Sequence, residues 1–170
     1  MLELSIRWFG VKNFKLIKQV SLRDAADRIG YLLQTKCENM IIDKQLLDNL
    51  TEQAKGNSRL RQAYDLRTTP NDQSQRILNA VEPGTILPIH RHTGSSETIT
   101  CLRGGCVQYL YDKDGNQINA IHLAPNSDIV AMSVEVGQWH RLESLESGTV
   151  ILECKDGKYE PLSDDDVFHN

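Results

Sequence analysis

At 170 residues, with 39% hydrophobic and 25% charged side chains, the chain has room for one soluble globular domain with a sizeable core and a small appendage. A formal net charge of −4 argues against a nucleic-acid binder, which needs a basic face to neutralise phosphates. No apolar run is long enough to span a membrane, and the first twenty residues are broken by charges with no small-residue cleavage site, so a cytoplasmic protein is expected.

Residues 1–39 carry a loosely helical apolar pattern, Leu16, Ile17, Val20, Ile29, Leu32 and Leu33, with Asp24 and Arg28 on a polar side. Two readings stand for this stretch: a helical arm packed on the domain or on a second subunit, or a segment translated from an upstream start. Residues 40–73 read as a helix and a connecting arm. Asp43 is placed to cap a helix whose apolar face is Leu46, Leu47, Leu50 and Ala54, and Gly56 stops it. The polar connection that follows contains Arg59, Arg61 and Arg67 and ends at the turn Thr69-Pro70-Asn71-Asp72.

After that turn the hydrophobic period changes to two. Strands are predicted at 74–80, 85–92, 97–102, 106–111, 117–123, 129–134, 140–145 and 149–154. Many short strands at close spacing mean an antiparallel barrel or jelly roll, over residues 74–162. Asp112-Lys113-Asp114-Gly115-Asn116 mimics the start of a calcium loop, but Leu123 stands where the closing Glu belongs. It reads as a hairpin turn. Residues 163–170, with three consecutive Asp, read as a mobile acidic tail in which His169 is a surface residue. The cysteines Cys37, Cys101, Cys106 and Cys154 lack the paired close spacings of a zinc ribbon or redox motif and read as buried thiols.

The chemistry concentrates at His90-Arg91-His92, with Glu97 close behind and His140 some fifty residues later. Side chains at i and i+2 of an extended strand share a face, so His90 and His92 can both reach one ion. A bare His-x-His arises by chance in roughly one such chain in seven. Here it is framed by Gly84, Glu97 and Gly104, which lowers the odds to the order of one in ten thousand.

The pattern Gly84-x5-His90-x-His92-x4-Glu97-x6-Gly104 resembles the first motif of the cupin superfamily at every signature position. Val136-Gly137-Gln138-Trp139-His140 resembles the second, with Glu135, Ile129 and Ser144 standing where the family usually has Pro, Gly and Asn. None of those three is a ligand. More narrowly, Gln75-Arg76-Ile77-Leu78-Asn79-Ala80-Val81-Glu82-Pro83-Gly84-Thr85, Pro88-Ile89-His90-Arg91-His92, Ser95-Ser96-Glu97 and Trp139-His140 resemble the WbuC-like cupin-fold metalloproteins, over about residues 41–162. The resemblance implies an all-β cupin, a double-stranded β-helix or jelly-roll barrel, with His90, His92, Glu97 and His140 as metal ligands. It also implies a setting in carbohydrate, O-antigen or polysaccharide metabolism.

Nitrogen and oxygen donors without thiolate suit one divalent transition metal, Fe, Mn, Ni or Zn among them. Four protein ligands leave open positions for water or substrate on a metal that accepts five or six. Strand parity puts Ile99 and Cys101 on the face of Glu97, and Gln138 on that of His140. Arg59, Arg61, Arg76, Asn79, Gln138 and Tyr159 are candidates to bind a small polar or sugar-like metabolite. No catalytic base is identifiable. Three functions fit: a metal-dependent isomerase or epimerase, an iron-dependent oxygenase, and a non-catalytic metal-dependent ligand-binding or sensor module. Sheet-edge pairing makes a homodimer the expected assembly.

Overall fold

The computed structural model describes residues 39–169; the arm or upstream segment expected before them lies outside the described residues. Helix α1, Lys44–Gly56, begins where the Asp43 carboxylate accepts a hydrogen bond from the Leu46 amide at 2.9 Å. It ends one residue later than expected, with the Asn57 amide returning to the Ala54 carbonyl. Leu50 and Ala54 are buried, and Leu46 and Leu47 flank them, so one stripe of the helix faces the domain.

Eight strands follow: β1 Arg61–Asp65, β2 Ser74–Val81, β3 Glu97–Arg103, β4 Cys106–Tyr111, β5 Gln117–Leu123, β6 Ala131–Val134, β7 Trp139–Ser144 and β8 Thr149–Asp156. They form a five-stranded sheet in the order β1-β2-β8-β3-β6 and a three-stranded sheet in the order β5-β4-β7, with every pairing antiparallel. Alternation along β2 and β8 explains how the larger sheet is covered on both faces. Leu78, Ala80 and Val150 pack with Leu50 and Ala54 of α1. Val81, Ile99, Cys101 and Ile151 turn the other way, to Cys106, Leu123 and Leu142 of the smaller sheet. At Gly104, between β3 and β4, φ is +74° and an added Cβ would run into Thr149, so the glycine of the sequence frame lets the β3–β4 turn pass close against the start of β8.

Three expectations change. Residues 61–65, read as part of a polar arm, are a strand paired along its length with β2, from Arg61 beside Val81 to Asp65 beside Ile77. An edge strand has one neighbour and tolerates polar side chains, so Arg-Gln-Ala-Tyr-Asp shows no alternation to read. Residues 85–92 are extended but form no ladder; only His90 pairs, with His140 on one side and Val167 on the other. Pro83 precedes this stretch and Pro88 lies within it, and neither has an amide to donate. The acidic tail is held down: Asp164–Asp166 forms a 3₁₀ turn, the Arg91 amide donates to the Asp166 carbonyl at 3.0 Å, and the Phe168 amide donates to the Ile89 carbonyl at 2.8 Å. The Phe168 ring then stands edge-on to Trp139 at 5.7 Å.

Candidate metal centre

His90 and His92 reach the centre from the ladder-free stretch, Glu97 from the first residue of β3, and His140 from β7. The backbones of His90 and His140 exchange two hydrogen bonds, 3.0 Å and 2.8 Å, which sets their rings side by side with centroids 4.3 Å apart. The Gly137 amide donates to the His92 carbonyl at 2.8 Å, so the turn before His140 also fixes the second histidine. Gly137 has φ +77°, a conformation costly to a side chain, which accounts for the glycine at this point.

One ligand atom from each of the four residues falls within 4.8 Å of all the others, so they could hold a single metal ion. Glu97 Oε2 lies 3.1 Å from His92 Nε2 and 3.3 Å from His140 Nε2. These contacts are close enough for attraction, yet all three atoms are buried with no hydrogen bond of acceptable geometry. Buried polar atoms left without partners are costly, and a cation among them would satisfy all three at once. On the far side of the rings, His140 Nδ1 lies 2.8 Å from the Gln138 carbonyl and His90 Nδ1 lies 3.2 Å from the Pro88 carbonyl. Each carbonyl calls for a proton on Nδ1 and leaves Nε2 as a lone pair for ligation.

The electrostatics suit the same role. Burial, followed by the neighbouring His140, pushes His90 down to about 4 and keeps its imidazole neutral near pH 7. Burial opposes ionisation of Glu97, but the imidazoles of His140 and His92 and the Lys155 ammonium, 3.5 Å from Oε1, overcome it and hold the carboxyl well below its usual range. A neutral imidazole and an ionised carboxylate are the protonation states a metal requires.

The tetrad lines a cavity of about 650 Å³ whose walls come from β1, β2, β3 and β8 of the larger sheet, β4 and β7 of the smaller one, and the stretches before β3 and after β8. Solved structures share this architecture. The capsular polysaccharide assembling protein CapF from Staphylococcus aureus is similar at a TM-score of 0.53 and 18% identity, over 66% of this chain and 32% of that one. The fold is that of a cupin. KdgF from Halomonas sp. matches at a TM-score of 0.46 and 15% identity, over 58% of this chain and 82% of that one. The chain thus spans about a third of CapF. Residues 42–123 match a family described as a domain of unknown function, DUF6016. No curated protein sequence matches.

Within the cupin barrel, Arg59, Arg61, Asn79 and Tyr159 line the cavity, as do Ile99 and the four tetrad residues. Arg76 and Gln138 do not. Arg76 falls on the opposite parity of β2 from Gln75, Ile77 and Asn79, and its guanidinium pairs with Asp72 at 3.2 Å. Gln138 belongs to the turn before β7, and its amide donates to the carbonyls of Tyr111 and Trp139, each at 2.8 Å. Cys101 shares the parity of Glu97 but lies deeper, in the apolar core, with Sγ turned to the Arg103 carbonyl.

The cavity also contains polar residues that sequence reasoning missed. Glu153 and Lys155 follow Ile151 on the inward face of β8, where the strand turns from apolar to charged as it leaves the core. Asn79 Nδ2 donates to Glu153 Oε2 at 2.7 Å, while burial and the charge of Glu97 push the Glu153 carboxyl up to about 7. Gln108 of β4 is 0% exposed. The available signal was a charged pair at alternate positions of an otherwise apolar strand.

Proposed function

We propose that this chain is a metal-dependent enzyme of the isomerase or epimerase kind, acting on a small hydroxylated, sugar-like metabolite. One observation carries the reading: three buried ligand atoms without hydrogen bonds, on His92, Glu97 and His140, border a cavity of about 650 Å³ rather than solid core. A tetrad meant only to brace the barrel needs no cavity beside it. His90, His92, Glu97 and His140 would hold a divalent ion, with Fe, Mn, Ni and Zn all suited to the donor set. Such an ion supplies Lewis acidity toward a carbonyl or hydroxyl oxygen.

The chain's own residues would do the rest. Lys155 and Glu97 balance charge at the inner wall, and Glu153, poised near neutrality, is the carboxyl placed to take and return a proton. Arg59 and Arg61 stand where an anionic part of a substrate could be met. Two further observations support the carbohydrate setting. The motif stretches resemble WbuC-like proteins, and CapF, which has the same fold, is a capsular polysaccharide assembling protein.

The test is proton exchange. The protein is loaded in turn with Mn, Fe, Ni and Zn and incubated in D₂O with a panel of sugars, sugar phosphates and nucleotide sugars. Metal-dependent deuterium uptake at a carbon next to a carbonyl is expected, with loss of at least about 100-fold in His140→Ala. If no panel member exchanges faster with loaded than with metal-free protein, the isomerase reading fails; oxygen uptake by the iron-loaded protein would place it with the oxygenases.

A further inference from the structure

Gln108 is fully buried in β4, yet neither its Nε2 nor its Oε1 has a hydrogen-bond partner. The residue lines the same cavity as the tetrad. Its ladder neighbours are Ile121 on β5 and Leu142 on β7, and neither offers a polar side chain at that level. Leaving buried polar groups unsatisfied costs on the order of 1–3 kcal/mol each, so an amide kept here points to something in the cavity that completes it.

The facing sheet presents a second polar group to the cavity. Asn79 on β2 donates from Nδ2 to Glu153 Oε2 on β8, which leaves Asn79 Oδ1 and Glu153 Oε1 to accept. Donor and acceptor chemistry then narrows the ligand. The Gln108 amide offers one donor group and one acceptor side by side, whereas Asn79 Oδ1 only accepts, whatever the charge of Glu153. A carboxylate brings acceptors alone and would leave Asn79 Oδ1 unmet. An ammonium brings donors alone and would leave Gln108 Nε2 unmet. A hydroxyl both donates and accepts, so a ligand with several hydroxyls can satisfy both walls.

We propose that Gln108, with the Asn79–Glu153 pair on the facing sheet, forms a hydroxyl-binding subsite in the tetrad's cavity, and that its ligand is a polyol. The subsite rests on the proposed function only for having a small molecule as occupant. Its polar atoms are separate from the four metal ligands.

The test uses the six-carbon alditols glucitol, mannitol and galactitol against hexane-1,6-diol, which has the same carbon count and four fewer hydroxyls. Saturation-transfer NMR on the full chain, metal-free and metal-loaded, should show transfer to at least one alditol and none to the diol. Gln108→Met, of similar size and apolar, should weaken alditol binding on the order of tenfold or more while raising the melting temperature of the ligand-free protein by about 2–8 °C. Glu153→Met, of similar length and without polar hydrogen-bonding oxygens, should also weaken binding. Equal binding of diol and alditols, absence of transfer to any alditol, or a Gln108→Met protein that binds alditol unchanged or melts lower would overturn the subsite. Metal content, read separately in the wild type and in His92→Ala, tests the metal reading. A wild type that retains no metal but still discriminates alditol from diol would sink that reading and leave the subsite standing.

Discussion

Glu97 and Glu153 show how two carboxyls on one wall can be driven apart. Both face the barrel interior, but His140, His92 and Lys155 surround Glu97 and keep it ionised, whereas Glu153 has burial and the charge of Glu97 against it. Glu97→Gln would leave the imidazoles without their anionic partner. Metal affinity measured by competition with a chelator should then fall by more than the roughly 10–100-fold that losing an outer hydrogen-bond partner costs. For Glu153 the sign with pH is opposite to that of a salt-bridged carboxylate. Below its ordinary value of 4.5 both folded and unfolded chains hold the proton; between 4.5 and about 7 only the folded chain does, so stability falls as pH rises through that window. Above it the full penalty applies, on the order of 1–3 kcal/mol. Metal-free Glu153→Gln should therefore be more stable than wild type in urea at pH 8, and the gap should close near pH 4. The grouping of His90, His92, Glu97 and His140 was legible in the sequence because residues that could hold one ion follow a spacing motif. Gln108 and Glu153 were not, because their role depends on which residue the register of another strand sets beside them.

At the scale of elements, α1 is secured in two ways. Asp43 caps its first turn, and Arg103 at the end of β3 reaches back to it, with Nη1 2.6 Å from Asp48 Oδ1 and Nη2 2.8 Å from both the Leu47 carbonyl and Thr51 Oγ1. Asp43→Ala should cost about 1 kcal/mol and Arg103→Ala on the order of 1.5–3 kcal/mol, each read as a lower urea midpoint with little change in slope. Most elements could be read beforehand: the helix from its cap and stripe, and seven strands from their period of two. The two failures have a common cause. A period reports burial against neighbours, and β1 has a neighbour on one side only, while residues 85–92 have an apolar alternation but prolines that deny them a ladder.

Across the whole molecule, one sheet serves two purposes: the outward face of β2 and β8 packs on α1, and the inward face turns from Ile151 to Glu153 and Lys155 to wall the cavity. The fold class was legible because short strands, frequent turns and a first cupin motif all pointed to one barrel. The seating of the C-terminal segment was not, since nothing in three consecutive aspartates announces that Arg91, stacked 4.6 Å over Trp139, will pair with the last of them at 3.0 Å. That seating leaves a distinct kinetic mark on the stretch that carries His90. His90 donates its amide to His140 within the barrel, whereas Arg91, one residue on, donates to Asp166 in the tail. Adjacent amides outside any ladder should therefore both exchange slowly with deuterated solvent, yet for different reasons. Removing residues 164–170 should speed exchange at Arg91 while sparing His90, so that one peptide bond marks where the protection given by the barrel stops and that given by the tail begins.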